Sequence, residues 1–346
     1  MSFAHRRKWI YGLPLGAAPF VAACSNDDDG GNGCGNNPTA PGCLPAGEGL
    51  IEGDITASRT LYSDTTYTLR GFVHVAQGAT LTIQPGTVIK GDFAVPGSSL
   101  FILRGARIVA QGTADNPIVF TSSQPEGSRL PGDWGGLILV GNASANRAGD
   151  IAVEGTGTYT VGNDPGQNYL VNYITTGGNT ADADDSGSLS YVRVEYAGFA
   201  PSQNNELNAF TFAAVGSGTQ LSYLQALAGL DDSFEFFGGT VDANHLVSYE
   251  AGDDHFDMSE GYRGRLQYLI AMQTTQFAQR PGVGSPSSDP QGIENDGCNG
   301  GGCTNGFDSG PFTTPVVANF TLIGTGDLAS TGSAEKRPAP ARGAGL

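Results

Sequence analysis

Short runs of alternating apolar and polar residues fill the chain from about residue 60, and Gly, Pro, Asn and Asp separate them. Examples are the segments 80–83, 118–120, 137–140 and 191–194. Alternation over a few residues between turn-forming residues is typical of β-strands, whose side chains point to opposite faces in turn. No segment after residue 25 keeps the helical period of roughly 3.6 residues. The pattern therefore predicts an all-β protein.

Internal repeats favour one all-β architecture over another. The repeats are 69–78 with 103–112 (offset 34, seven identities in ten), 231–235 with 253–257 (offset 22), and 189–192 with 221–224. Offsets near 22, lengthened where a loop is inserted, predict a solenoid whose coils each bury one face against their neighbours. A β-sandwich is the alternative, but it does not predict matched segments one coil apart. We therefore expect a parallel β-helix.

Three longer segments carry a resemblance to a known family. They are 79–89 (ATLTIQPGTVI), 112–122 (GTADNPIVFTS) and 132–137 (GDWGGL). These segments resemble the repeats of bacterial secreted right-handed parallel β-helix lipoproteins, and the resemblance covers about residues 60–325. It implies the fold but little about function, because one fold serves many roles.

The two ends of the chain differ from this repeating part. We expect the β-helix domain to span residues 51–329. Residues 330–346 lack strand alternation and are interpreted as an irregular tail, either natural or produced by truncation or a frame shift.

The first 23 residues are interpreted as a signal peptide. Residues 5–8 are basic, and 9–23 carry no charge. The apolar run is too short for a membrane span, which needs about 20 residues. It ends in Val-Ala-Ala-Cys24, which resembles the bacterial lipobox, so we expect Cys24 to be lipidated and to attach the protein to a lipid bilayer. Ordinary cleavage that leaves Cys24 free is the alternative.

Residues 24–50 are interpreted as the lipidated cysteine followed by a flexible polar tether. Ser25 follows the cysteine, and in the lipoproteins that the segment resembles an Asp at this position marks retention in the inner membrane. The resemblance therefore implies an outer-membrane lipoprotein that faces the periplasm or the cell surface.

Four further cysteines form two pairs that are close in sequence. An exported protein meets an oxidising compartment, so we expect the disulfides Cys34–Cys43 and Cys298–Cys303. Four cysteines allow three pairings, and a zinc site is the other interpretation, although the spacings are not those of zinc ligands. The segment 294–298 is interpreted as an ordinary loop closed by the second disulfide.

Charge and motif content exclude several classes of function. The 346 residues include 34 acidic and 17 basic side chains, which gives a net charge of −17. This charge argues against nucleic-acid partners, which require a basic surface. The sequence contains no phosphate-binding glycine loop, hydrolase nucleophile elbow or His-Glu-x-x-His motif. His74 and His245 occur singly and are interpreted as packed or surface histidines.

The acidic repeat is the most informative polar feature. If Phe234 and Phe256 point inward, alternation places Glu235 and Asp257 outside the core. One coil of offset then stacks equivalent carboxylates about 4.8 Å apart. Asp231 and Asp253 are predicted to stack outside the core in the same way. Like charges at this distance repel, so a cation, bound protons or solvent must offset the repulsion.

Three interpretations of these acids remain open. Calcium prefers clustered carboxylate ligands, and Asp231, Glu235, Asp253 and Asp257 are the first candidates. A polysaccharide lyase or retaining glycosidase could instead use the same acids. Its catalytic candidates are Glu235, Asp257, Asp253 and Arg263, with Arg265 as another possible base. The third interpretation is structural, with solvated acids that cap turns.

We take as the leading hypothesis a cell-surface β-helix that binds or scaffolds, with calcium in its acidic coils and without catalysis. Long solenoids offer extended lateral surfaces, so a glycan or a surface protein is the expected partner. The enzyme, a calcium-dependent lyase or glycosidase, is the alternative, and a purely structural envelope protein is the third.

Overall fold

Strands are the only regular elements in the part of the chain that the computed structural model describes, which comprises residues 47–157, 170–202, 205–288, 290–298, 300–325 and 342–343. None of these ranges contains a helix that is long and apolar enough to cross a membrane. The strands are β1 (Glu48–Ile55), β2 (Arg59–Leu61), β3 (Thr66–Val75), β4 (Thr80–Ile83), β5 (Val88–Gly91), β6 (Ser99–Ile102), β7 (Arg107–Gln111), β8 (Ile118–Ser122), β9 (Leu137–Val140), β10 (Ile151–Ala152), β11 (Asn172–Ile174), β12 (Gly187–Glu195), β13 (Phe210–Ala213), β14 (Gln220–Gly229), β15 (Phe234–Phe237), β16 (Ala243–Ala251), β17 (Asp257–Ser259), β18 (Arg265–Met272), β19 (Glu294–Asn295), β20 (Thr304–Phe307), β21 (Val316–Ile323) and β22 (Arg342–Gly343).

Parallel pairing between successive coils builds the molecule. One face consists of β12, β14, β16, β18 and β21, each paired in parallel with the next. Another face runs through β6, β9, β13, β15, β17 and β19 in the same way. Each turn of the chain thus adds one strand to each face, which confirms the right-handed parallel β-helix and rules out the β-sandwich.

Two of the three sequence repeats correspond to one coil of the helix. Glu235 pairs with Asp257 at the offset of 22, and Leu189 pairs with Leu221 across the longer loop between β12 and β14. The repeat at offset 34 does not: His74 pairs with Phe101, at an offset of 27. Turns of different length separate the strands in this part of the chain, so the similarity of sequence there does not follow the register.

Stacked aromatic rings fill the interior near the acidic coils. Phe234 stacks on Phe210 at 5.0 Å between ring centroids and on Phe256 at 5.4 Å. A second stack, which joins Phe212, Phe236 and Tyr262, runs beside it. These rings are fully buried, and their alternation with polar residues fixes which side chains face outward.

A short antiparallel hairpin of β10 and β11 covers part of the outer surface. Its residues Val153 and Tyr173 join a second apolar cluster with Phe101 and Ile138, which point outward from the solenoid. The insertion that carries the hairpin therefore packs on the outside of the β-helix through a core of its own.

Several predictions concern boundaries and disulfides. The strand β1 begins at Glu48, three residues before the predicted start of the domain at residue 51. The disulfide Cys298–Cys303 is confirmed. The signal segment 1–23, Cys24 and the pair Cys34–Cys43 lie outside the described residues, as does most of the tail from residue 330. Of that tail, Arg342–Gly343 form β22 and pair with β19.

Candidate metal centre

Alternation in two short strands places two carboxylates outside the ring stacks. In β15, Phe234 and Phe236 point into the core, so Glu235 points outward. In β17, Asp257 precedes the buried Met258 and takes the equivalent position. Glu294 of β19 pairs with Asp257 on the next coil. Three successive coils therefore present an acid at one position.

Further acids from the turns join this row to form what we call the acidic cluster. It consists of three overlapping groups, in each of which one oxygen per residue lies within 4.8 Å of the others: Asp231, Asp232 and Asp253; Asp232, Glu235 and Asp257; and Asp254, Asp257 and Glu294. Asp232 and Asp257 each belong to two groups, so the seven residues form one continuous set of carboxylates.

Backbone and amide donors fix the positions of several of these side chains. Asp232 accepts a hydrogen bond on Oδ1 from the backbone N–H of Asp254, at 2.8 Å. Asn208 donates to Glu235 and accepts from the backbone N–H of Asp232. The Gln291 backbone N–H donates to Asp254. The cluster is therefore an organised array rather than a set of mobile side chains.

Burial distinguishes these acids from ordinary surface charges. Glu235 is 5% exposed, Asp232 7% and Asp254 2%, so these three carboxylates are buried, whereas Asp231, Asp253 and Asp257 are half-buried. Alternation correctly predicts that Glu235 leaves the ring core, but neighbouring loops cover the outer face. Asp232 and Asp254 lie in the turns before β15 and β17, where the period of two does not apply.

Burial and mutual repulsion raise the pKa values of the acidic cluster. Burial raises the pKa of Asp254 to about 11, with added repulsion from Asp253. It also raises the pKa of Glu235 well above its usual value, and Asp257 and Glu154 add to this. Burial also raises the pKa of Asp257 well above its usual value, and repulsion from Glu294 is the next largest cause. Without a cation, these groups can stay buried together only by holding protons.

Most members of the acidic cluster have no basic partner among the residues that the structure describes. In the ranges that the structure describes, no salt bridge reaches five members of the acidic cluster: Asp231, Asp232, Glu235, Asp254 and Asp257. His255 is adjacent in sequence, but burial lowers its pKa to about 4, so its ring is neutral at neutral pH.

The two arginines proposed as catalytic bases lie elsewhere. Arg263 donates to Asp182 at 3.2 Å and to Ser144 at 2.7 Å, and Arg265 pairs with Asp242. They hold surface turns together, and neither approaches the acidic cluster closely enough to pair with it. The structure thus unites Asp231, Glu235, Asp253 and Asp257 but separates them from both predicted bases.

A cavity of about 770 Å³ adjoins the acidic cluster. Its lining includes Asp231, Asp253 and two acids from inserted loops, Glu154 and Glu206. Burial, with repulsion from Glu206, raises the pKa of Glu154 to about 8. Arg280 also lines the cavity, but its guanidinium is 3.0 Å from Asp133 Oδ1. The acids are therefore accessible from one side to a solute.

The sequence indicated only part of this site. Asp232 and Asp254 were visible as the second acids of two doublets, but alternation assigned them to the opposite side. Glu294 was assigned to an ordinary loop, whereas it lies in β19. Glu154 and Glu206 carry no sequence signal, because folding of the insertions brings them to the cavity.

The donor set fits a hard cation. Asp257 Oδ1 is buried and has no hydrogen-bond partner in the described part of the chain. Asn295 Oδ1, on the neighbouring strand, is buried in the same way. A buried carboxylate oxygen without a donor is costly unless a cation or a proton satisfies it. All candidate ligands are oxygens, which calcium and magnesium prefer and zinc does not require.

The fold and this site define a parallel β-helix with a buried acidic centre beside a cavity. The model of the pectate-lyase-like β-helix domain family matches residues 53–337. The chain belongs to that family. Neither the curated proteins nor the solved structures include a match to this chain.

Proposed function

We propose that this protein is a calcium-loaded β-helix module that binds or scaffolds at a bacterial cell surface. One observation carries the proposal: buried and half-buried carboxylates form three overlapping groups, and within each group the ligand oxygens lie within 4.8 Å of one another. Five of these seven acids have no salt-bridge partner in the described ranges. A cation is the simplest neutralising partner for such a set, and the protein would bind it at the expense of bound protons.

The number and type of the ligands favour calcium among the hard cations. Calcium accepts six to eight oxygens in variable geometry, whereas magnesium demands a near-octahedral arrangement and keeps several waters. Seven carboxylates in three overlapping groups supply many oxygens in an irregular array. Asp232 and Asp257 would bridge neighbouring ions, because each belongs to two groups.

The chain's own residues prepare the site in two ways. The aromatic stacks hold β15 and β17 in register, so Glu235 and Asp257 stay adjacent without any ion. Asn208 holds the Glu235 carboxylate by donating to it. The preorganisation reduces the ordering cost of binding and favours high affinity.

Calcium titration of the full chain tests the proposal. We expect isothermal titration of the EGTA-treated protein with CaCl₂ to give saturable binding, and Asp257→Asn to weaken it at least tenfold. Asp242→Asn is the matched control, since Asp242 pairs with Arg265 outside the acidic cluster. Absence of saturable binding in a folded wild-type protein would overturn the proposal.

A second candidate, a calcium-dependent polysaccharide lyase or glycosidase, is favoured by the cavity. The cavity unites acids with one arginine, Arg280, in a member of a pectate-lyase-like family. Incubation with acidic and neutral polysaccharides, with and without Ca²⁺, should then produce new chain ends that Asp253→Asn abolishes. Without new ends from a folded protein, the binding function remains the better proposal.

Surface attachment completes the proposed function. Cys24 ends a lipobox-like segment, and lipidation there would anchor the β-helix to the outer membrane. Mass spectrometry of the protein from a bacterial envelope fraction tests this. We expect an acylated N-terminal Cys24, and Cys24→Ala should release the protein from the membrane fraction.

A further inference from the structure

A column of stacked rings lies along one face of the β-helix, outside the acidic cluster. Tyr191 stacks on Tyr223 at 4.5 Å, Tyr223 on His245 at 4.3 Å, and His245 on Tyr268 at 4.8 Å. We call these four residues the aromatic column. They lie on β12, β14, β16 and β18, so each successive coil contributes one ring.

The backbone of the aromatic column is unusual for such large side chains. Its four residues have φ between 49° and 63°, in the left-handed region. Bulky residues rarely adopt this conformation, which Gly and Asn take at little cost. On the next coil, Asn319 occupies the bend with φ 58°. Observed strain of this kind points towards function, since asparagine would make the same bend more cheaply.

An open groove of about 450 Å³ follows the aromatic column across five coils. Its lining residues include the four rings of the aromatic column together with Gln225, Val247, Ile270 and Asn319. None of them is acidic, and none is Lys or Arg. Tyr223 is 42% exposed and Tyr268 46%.

Some polar groups of the groove bond to the protein, since Gln225 accepts from Arg193 and Asn319 accepts from Gln267, but the tyrosine hydroxyls do not. The hydroxyls of Tyr191, Tyr223 and Tyr268 make no hydrogen bond with any described residue, so a ligand could bond to each of them. Val247 and Ile270 supply apolar surface between them. The four coils of the aromatic column thus each combine a ring with at least one hydrogen-bonding group, and the fifth coil adds the polar Asn319 and Thr321.

We propose that this groove binds a neutral, extended glycan that lies along the solenoid axis with about one sugar unit per coil. Sugar rings combine apolar faces with hydroxyl edges, which matches the repeating composition of the groove. Neighbouring coils are about 4.8 Å apart, and one pyranose unit of an extended glycan spans a similar distance. An extended peptide, at about 3.3 Å per residue, does not keep this register.

Charge selects the neutral class of glycan. The chain has a net charge of −17, so it repels polyanions, and no Lys or Arg lines the groove to offset that repulsion. Calcium plays no part in this site, because no carboxylate lines it. The inference extends the proposed binding function to a second face, and the two can fail independently.

Titration of the full chain with defined oligosaccharides tests the inference. The probes are the β-1,4-linked hexasaccharides of glucose and of xylose, with hexagalacturonate as the acidic comparator. We expect calorimetric binding of at least one neutral probe, weaker or no binding of hexagalacturonate, and no effect of EGTA. Hexagalacturonate that binds as tightly as the neutral probes, or binding that EGTA abolishes, contradicts the inference.

Asparagine substitutions separate ligand binding from folding. Tyr223→Asn and Tyr268→Asn keep a residue suited to the left-handed bend, as at Asn319, and each should weaken neutral-glycan binding at least tenfold. Tyr223→Phe keeps the ring and should cost about threefold. Tyr62→Asn is the matched control, because Tyr62 is 53% exposed and lies outside the groove.

Circular dichroism must show that the variants are folded. If the asparagine variants do not fold, the expected threefold loss of glycan affinity in Tyr223→Phe tests the inference instead. Unchanged glycan affinity in folded Tyr223→Asn would overturn the inference. So would a concentration-dependent dimer that the same substitution abolishes in the absence of glycan, since the groove would then be a contact between copies.

Discussion

Glu235 and Asp257 pair directly across neighbouring coils, and neither carboxylate has a salt-bridge partner among the described residues. Two ionised groups about 4.8 Å apart repel by about 3 kcal/mol at an effective dielectric of 20. The parallel strands do not allow the residues to separate without breaking the ladder. Occupancy of the site by a cation, or by protons, therefore determines whether this pair stabilises or destabilises the fold.

Glu235→Gln should change protein stability in opposite directions with and without calcium. In EGTA at neutral pH, the substitution replaces a carboxyl group that must take up a proton to stay buried, and it should stabilise the fold by at least about 1 kcal/mol. In saturating calcium, it removes a ligand, and the loss of calcium-linked stabilisation should exceed this gain. Urea denaturation under both conditions measures the two effects. The same sign in both would contradict a metal at this position.

The ring stack beside Glu235 should be a major source of stability. Phe236 is fully buried and stacks on Phe212 at 5.0 Å and on Tyr262 at 4.7 Å. Phe236→Ala should cost about 3–5 kcal/mol through lost burial and an unfilled cavity. Phe307→Ala is the control, since Phe307 is 56% exposed and should change stability little. Denaturation curves of both variants in EGTA measure the change in the free energy of unfolding without any contribution from calcium.

The disulfide Cys298–Cys303 should add moderate stability to the loop after β19. Its sequence separation is 5, and closing so short a loop contributes about 2 kcal/mol in the chain-entropy model. Reduction should lower the denaturation midpoint accordingly. The double variant Cys298→Ala/Cys303→Ala removes this bridge alone and, under oxidising conditions, should lower the denaturation midpoint by the same amount. A double variant as stable as the oxidised protein would show that the bridge contributes nothing.

Glu260 should make stability depend on pH. Burial raises the pKa of Glu260 to about 7, although the ion pair between Arg147 Nη1 and Glu260 Oε1, 2.5 Å apart, lowers it. The folded state then binds more protons than the unfolded state between pH 4.5 and 7. Glu260 therefore favours folding most below pH 4.5, and this contribution is lost as the pH rises through 7, by about 3 kcal/mol.

The variant Glu260→Gln isolates this effect. The free energy of unfolding of this variant, relative to that of the wild type, should increase between pH 5 and pH 8. The acidic cluster is the same in both proteins, so its pH dependence cancels in this difference. Denaturation at the two pH values, in EGTA, measures the difference. A relative stability that decreases over this range would mean that the Arg147 ion pair outweighs burial.

The sequence predicted the architecture because the repeat and the alternation reflect backbone geometry directly. The offset of 22 correctly places Glu235 beside Asp257, and the short spacing correctly pairs Cys298 with Cys303. What the sequence could not predict depends on the insertions. Loops whose positions follow no period bury the acids, form the cavity and bring Glu154 into its lining.

The aromatic column shows a different limit. The recurrence of Tyr191 at Tyr223 was visible as part of a repeat, but His245 was interpreted as an isolated histidine. Its position in the column depends on the bend with positive φ, where the side chain leaves the alternation of the strand. A pattern based on strand period alone cannot predict such a position.

One position of the coil changes character along the solenoid, from Phe101 and Ile138 through Thr211 to Glu235 and Asp257. The apolar part holds the β10–β11 hairpin, and the acidic part faces the candidate metal centre. Duplication of an apolar coil would lengthen the platform for the hairpin, whereas duplication of an acidic coil would add another carboxylate pair. The ion capacity of such a protein would therefore evolve in whole-coil steps, without any change to the surrounding framework.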